Sequence, residues 1–315
     1  MRARPDGQLM SVALDVVGVG RAVRHDGVVE LTFTKGHGTQ NDFVLVRDPD
    51  GALDLTPQQV RQLADRHAGI GADGVIRVVR TAAAAEVSDQ ADAAEWFMDY
   101  RNADGSLAEM CGNGVRVFVR YLLREGLVPD DATELAVATR GGTKAVRLDD
   151  GQSAVDLGEW HLVGGEPALR AGGDATVRIT GVGEALPGLT FDLGNPHTVV
   201  LLPGEDELAQ ADLTRAPVVE PVPTNGTNVE LVVPLAPGHV AMRVHERGVG
   251  ETRSCGTGAA AAALAARAWV LADGGEPVDD WRVDVPGGTV RVRVLGDHVE
   301  LSGPAVLVAD GTVTL

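Results

Sequence analysis

The chain has 315 residues, 44% of them hydrophobic, enough to bury the cores of two ordinary domains. Its formal net charge of −18 argues against nucleic acid or an anionic lipid surface as partner, since both need a basic face, but leaves room for a small anionic ligand at a locally positive site. Two cysteines are too few for a disulfide scaffold and lack the clustered partners of a zinc site, and neither a membrane-length apolar run nor a leader pattern is legible, so a cytoplasmic protein with reduced thiols and no bound metal is expected.

Residues 1–29 read as an N-terminal extension of weak periodicity. "VELTFTKGHG" alternates as a strand running into a glycine-rich turn, and "TQNDFVLV" follows as turn then strand. "TPQQVRQLADRH" predicts a helix capped by Thr56, with Pro57 at its first position and Val60, Leu63 and Ala64 on one face. "DGVIRVV" is a strand, and "AEWFMDYRNADGS" is a strand ending in a turn. "CGNGVRVFVRYLL" is a helix ending near Gly126, and "ELAVAT" with "TKAVRL" forms a hairpin. A second series begins after Asp150: "LTFDLGNPHTVVLL" is strand, turn, strand. "GTNVELVVPL" and "HVAMRVHERG" are strands, and "CGTGAAAAALAARA" opens a helix reaching about Gly274. "WRVDVPG", "TVRVRVL", "HVELSGPAVLV" and "TVTL" close the chain as strands.

The halves echo each other. A polar turn, an acidic residue, Cys-Gly-x-Gly and a helix occur once in each, and no fixed 20–50-residue period makes the chain a solenoid. The expected architecture is one α/β unit duplicated and diverged. "GIGADG" matches a dinucleotide fingerprint in letters only, because it follows a helix and precedes a strand. "NGT" at 225–227 is irrelevant as a glycosylation acceptor in a cytoplasmic chain.

Both cysteines, Cys111 and Cys255, stand at helix starts. There, free N–H groups and the helix dipole favour a thiolate, so lowered pKa values are expected. The glycines that follow admit a carboxylate to the N–H groups of Gly112, Asn113, Gly256 and Thr257. If the two mouths face each other across a pseudo-twofold, one carboxylate is held by both helices with a thiol on each side of its α-carbon. That geometry suits proton exchange with inversion. The only lysines are Lys35 and Lys144, which bears on any pyridoxal phosphate Schiff base.

"NADGS" before "CGNG", "GNPH", and "ERGVGET" before "CGTG" together resemble the signatures of the diaminopimelate epimerase family, over roughly residues 30–315. The resemblance implies an α/β fold of the α+β type: two homologous domains, each with strands wrapped around a central helix, and an active site in the cleft between them. It places residues 30–155 with 302–315 in the first domain and 156–301 in the second. It implies a cofactor-independent epimerase of LL- and meso-2,6-diaminoheptanedioate, on the route to lysine and cell-wall cross-links, acting as a homodimer. On it, Cys111 and Cys255 are the acid/base thiols, and His197 and Glu246 tune their protonation. Asn41, Asn102, Asn195, Asn228, Glu246 and Arg247 contact substrate, whose far zwitterion calls for amide oxygens, a carboxylate and a guanidinium. Many members carry a glutamine that contacts substrate where this chain has Gly74, and many have a shorter loop at "GHGTQNDF". Two other readings stand beside this one. A proline racemase-like two-thiol isomerase would have no use for Arg247, and a thiol redox or binding protein would exchange no α-proton.

Overall fold

A helix that is apolar on every side has to be enclosed on every side. The computed structural model describes residues 23–25, 28–149 and 152–315, and it surrounds two helices with strands, the second apolar all round over most of its length and the first carrying Arg116, Arg120 and Arg124. Helix α1 (Pro57–Ala64) is held by a capping box in which Thr56 and Gln59 satisfy each other's backbone, and it buries Val60, Leu63 and Ala64. Helix α2 (Gly112–Arg124) has Val115, Val117, Phe118 and Val119 fully buried, and it stops where Gly126 turns to φ +61°. Two short helices, α3 (Gly165–Ala171) and α4 (Glu205–Gln210), were not expected from the sequence. Helix α5 (Gly256–Ala272) buries the run Ala259–Ala266 all round, and the small alanine side chains let surrounding strands approach closely.

The strands repeat one pattern. In the first half, Val28–Gly38 and Asn41–Arg47 form a hairpin, Asn41–Arg47 runs parallel to Gly74–Arg80, and Gly74–Arg80 is antiparallel to Trp96–Asn102. Beyond α2, Glu134–Ala138 lies parallel to Trp96–Asn102 and continues antiparallel through Lys144–Asp149 and Gln152–Glu159. In the second half, Leu186–Asp192, Pro196–Leu201, Asn228–Ala236 and His239–Glu246 pair with the same polarities. Beyond α5, Asp280–Val285, Gly288–Leu295 and His298–Gly303 do likewise.

The chain crosses between the halves twice: His161–Leu162, just after Gln152–Glu159, pairs with Leu186–Asp192 of the second half, and Val306–Thr314, at the end of the chain, returns to pair with Val28–Gly38 of the first. Gln152–Glu159 and His298–Gly303 join the halves antiparallel. The duplication expected from the two Cys-Gly-x-Gly motifs is thus carried by strand order and polarity.

Three details differ from the sequence reading. "HVELSGPAVLV" is two strands, broken at Pro304, which has no N–H for a ladder. Part of the supposed extension, Val23–His25, pairs with Val28–Glu30, while residues 1–22 lie outside the described residues. The strands Gln152–Glu159 and Ala175–Arg178 were not anticipated.

Candidate active site

Register assigns equivalent positions in the halves. Phe43 sits opposite Gly74 in one parallel pair and His197 opposite Asn228 in the other. Cys111 follows Asn102, and Cys255 follows Glu246, by the same nine residues. Asn41 and Asn195, each two residues before Phe43 or His197, are likewise equivalent. Where the first half has Phe43, Ile76 and Asn102, the second has His197, Glu230 and Glu246. The ionisable groups around the thiols therefore come mainly from one side.

Each cysteine is the N-cap of its helix. Cys111 Sγ accepts from the Gly114 N–H at 3.4 Å, and Cys255 Sγ accepts from the Gly258 N–H at 3.4 Å. The two mouths abut: a Cβ added to Gly256 would lie 3.6 Å from both the backbone N and Oδ1 of Asn113, and 2.8 Å from Leu301 Cδ2. Asn113 Nδ2 donates across the halves to the Ser254 carbonyl at 3.1 Å and, within its own half, to Asn41 Oδ1 at 3.2 Å. Asn41 Oδ1 also accepts from Cys111 Sγ at 3.6 Å. Asp73 fixes this amide by accepting from Asn41 Nδ2 at 2.7 Å, and Arg66 grips Asp73 and Asp42 together.

Behind α2's mouth lies Arg116, fully buried, donating to Asn113 Oδ1, to Thr39 Oγ1 and to the Pro304 carbonyl. Among the described residues it has no carboxylate partner, its Nε is unsatisfied, and burial lowers its pKa to about 10. A buried unpaired cation is costly, so the mouth is electrostatically suited to an anion. Thr39 and Gln40, the tip of the first hairpin, both have positive φ, a conformation that β-branched Thr39 adopts only under strain. Thr39 spends that strain on a 2.6 Å hydrogen bond to Ser254 Oγ.

His197 is fully buried, with Nδ1 2.7 Å from Glu230 Oε1 and Nε2 3.1 Å from Asn195 Oδ1. Glu246 is bonded by the Thr252 hydroxyl, and burial raises its pKa.

The expected acidic thiols are not found. Burial pushes Cys111 up to about 11, aided by the Glu246 carboxylate and only partly offset by the helix amides and Arg116. Burial, then Glu246 and Glu230, push Cys255 well above the ordinary thiol value. Desolvation outweighs the helix dipole, which favours the protonated form of both thiols at neutral pH.

The remaining residues divide. Thr257 Oγ1 lies 3.6 Å from Cys255 Sγ. Asn228 spends its amide on the Pro196 carbonyl and the Arg247 N–H, at 3.0 and 2.9 Å, which positions Arg247. The Arg247 side chain is exposed and donates to the Asn225 carbonyl, with no ion pair to Glu246. Asn102 Nδ2 is occupied by Ser106 in a local turn. Sequence reasoning missed Arg116, Glu230, Asp73 and Ser254. A lone carboxylate inside "NVELVV" and a lone guanidinium inside "GVRVFV" were the available signals, since each sits in a run that is otherwise buried. Among the described residues no cluster of His, Cys, Asp and Glu is arranged to hold a metal ion.

The family description "Diaminopimelate epimerase" matches residues 33–163 and 189–313. The chain is 49% identical over 291 residues to a diaminopimelate epimerase of Streptomyces coelicolor, covering 89% of this chain and 94% of that one. It is 46% identical over 293 residues to one of Corynebacterium glutamicum, covering 90% and 99%. In fold it is similar to a phenazine biosynthesis protein of the PhzF family from Bacillus anthracis, with a TM-score of 0.61 at 15% identity over 90% of this chain and 99% of that one. It is also similar to a hydroxyproline epimerase from Agrobacterium vitis, with a TM-score of 0.58 at 16% identity over 91% of each.

Proposed function

The chain belongs to the diaminopimelate epimerase family, and from that premise we propose that it interconverts LL- and meso-2,6-diaminoheptanedioate with Cys111 and Cys255 as paired acid and base. The observation carrying this reading is the abutment of two cysteine-capped, glycine-opened helix mouths, Gly256 of one lying against Asn113 of the other.

The N–H groups of Gly112, Asn113, Gly256 and Thr257 hold the reacting carboxylate, with the Arg116 charge behind them. One sulfur, as thiolate, removes the α-proton: the C–H bond breaks, an S–H bond forms, and the electron pair spreads into the held carboxylate. The other thiol delivers its proton to the opposite face, and the two sulfurs exchange protonation states. The raised thiol pKa values require activation on binding. The substrate ammonium supplies it by offsetting the Glu246 carboxylate, which otherwise disfavours a thiolate at either sulfur. His197, held by Glu230, and Asn195 complete the wall beside Cys255. Arg247, exposed at the rim, reaches for the far carboxylate, and Asn41, Asn102 and Asn228 set the cleft wall.

The halves are read as 30–155 with 302–315, and 156–301, and the active species as a cytoplasmic homodimer. The dimer rests on the family resemblance, and a monomer mass by light scattering would remove it. The test of function is α-proton exchange. With diaminopimelate in deuterated water, deuterium should enter at the α-carbon as the stereoisomers equilibrate. Absence of incorporation by folded, reduced protein overturns the reading.

A further inference from the structure

Gly74 lies at the cleft end of its strand, opposite Asn102 and next to Asp73, which orients Asn41. A Cβ at this position would run into the Tyr100 ring and lie 2.6 Å from the Arg101 carbonyl and 3.1 Å from the Tyr100 hydroxyl. Tyr100 therefore occupies the volume into which a side chain at 74 would grow. The internal twofold sharpens the point. Gly74 is the counterpart of Asn228, and Tyr100, opposite Ile76, is the counterpart of Val244, opposite Glu230. In the second half the polar group comes from position 228 and the partner strand offers a valine. In the first half position 74 offers nothing, and the partner strand supplies a phenol.

The ring is rigidly held. It packs edge-on to Phe43 at 5.7 Å between centroids, and the Tyr100 carbonyl accepts from Arg140 and from the Ala108 N–H. Tyr100 is 7% exposed, yet its hydroxyl bonds to no described residue, and its oxygen is not sealed from solvent. The charged groups that raise its pKa beyond the effect of burial are Cys111 first, then Glu246 of the other half, Asp73 and Asp104. Geometry places the hydroxyl at the cleft end of the strand: it lies 3.1 Å from where a Cβ on Gly74 would sit, next to Asp73 and so to Asn41, whose Oδ1 accepts from Cys111 Sγ. A hydroxyl on a packed ring, bonded to no described residue and open to solvent, is suited to meet a ligand.

We propose that Tyr100 is a specificity-determining residue whose hydroxyl hydrogen-bonds the non-reacting end of the substrate, in the place left open by Gly74. This rests on the epimerase reading above. The reacting carboxylate is already claimed by the two helix mouths and the α-carbon by the two sulfurs. A hydroxyl on the strand wall beside Gly74 is left to meet the rest of the ligand, where an α-aminocarboxylate presents both an acceptor and a donor to a phenol.

The test is Tyr100→Phe, which keeps the ring and its packing. We expect KM for diaminopimelate to rise about ten-fold or more, the usual loss for a hydrogen bond to a charged group, with kcat within about three-fold. Unchanged KM, or a fall in kcat alone, overturns the proposal. Two further variants separate contact from packing. Gly74→Gln alone should be damaged by collision with Tyr100. Gly74→Gln with Tyr100→Ala should recover a KM below that of Tyr100→Ala alone, because the amide then occupies the vacated space. No recovery in a double variant with native-like thermal unfolding also overturns it. Wild-type protein assayed alongside separates this outcome from failure of the epimerase reading: if wild type exchanges no α-proton, that reading fails first.

Discussion

Asn113 and Ser254, 141 residues apart, are joined by a 3.1 Å hydrogen bond from the Asn113 amide to the Ser254 carbonyl, immediately before Cys255. The same amide's oxygen accepts from buried Arg116, so one side chain ties the mouth of α2 to the mouth of α5 and takes up a guanidinium. Asn113→Ala should destabilise the fold by about 1–3 kcal/mol, because it strips a buried charged donor of its acceptor. It should also lower kcat/KM at least ten-fold by loosening the mouths. Denaturant unfolding and steady-state kinetics check both. Full stability with full activity would show that the bridge is dispensable.

Gly256 supplies one of the N–H groups of the proposed carboxylate cradle, and an added methyl there meets Leu301 Cδ2 at 2.8 Å and stands 3.6 Å from the Asn113 N–H nitrogen. Leu301 is the end of a flexible side chain and can yield. Gly256→Ala should therefore fold, lose a modest amount of stability, and raise KM steeply by filling the anion seat. Calorimetric titration with diaminopimelate is the direct check.

Gly287 offers a contrast. A Cβ there would collide with the Thr39 carbonyl, which is backbone of a strained hairpin tip and cannot move cheaply. Gly287→Ala should cost about 1–3 kcal/mol, as overpacking typically does, and lower Tm. A neutral result would mean that the tip is free to shift.

The thiols give a pH dependence with a definite sign. Burial holds the folded-state pKa of Cys111 at about 11, against an ordinary 9.0. A raised acid contributes stability that is fully present below the unfolded value and is lost as pH rises through the folded one. Wild-type stability should fall between roughly pH 9 and 11, and Cys111→Ala should flatten part of that fall. Glu246→Gln removes a negative charge that disfavours thiolate at both sulfurs. The pH midpoint for alkylation of Cys111 in a Cys255→Ala background should move down when Glu246→Gln is added, and an upward move would reverse the assigned electrostatics.

Either cysteine replaced by alanine should abolish epimerisation, a loss of at least about 10³-fold, since general acid and base groups each contribute about 10²–10⁴. Near-normal turnover by Cys111→Ala, followed by optical rotation, would remove the two-base mechanism.

Much of this was legible in the chain. Hydrophobic alternation, the Thr56 cap, and glycines after each helix-opening cysteine are local signals, and local physics honours them. The repeated Cys-Gly-x-Gly grammar, in a chain with two cysteines, was enough to point to a duplicated unit and a paired site. Facing of the mouths, the return of the last strand to the first half, and the placing of Arg116 and Glu230 depend on long-range pairing that no local window contains. The thiol pKa values show the division plainly. Sequence specifies the helix start that lowers them. Only the tertiary structure supplies the burial and the Glu246 carboxylate that raise them, and desolvation prevails because it acts on the whole charge while the helix end contributes a partial one.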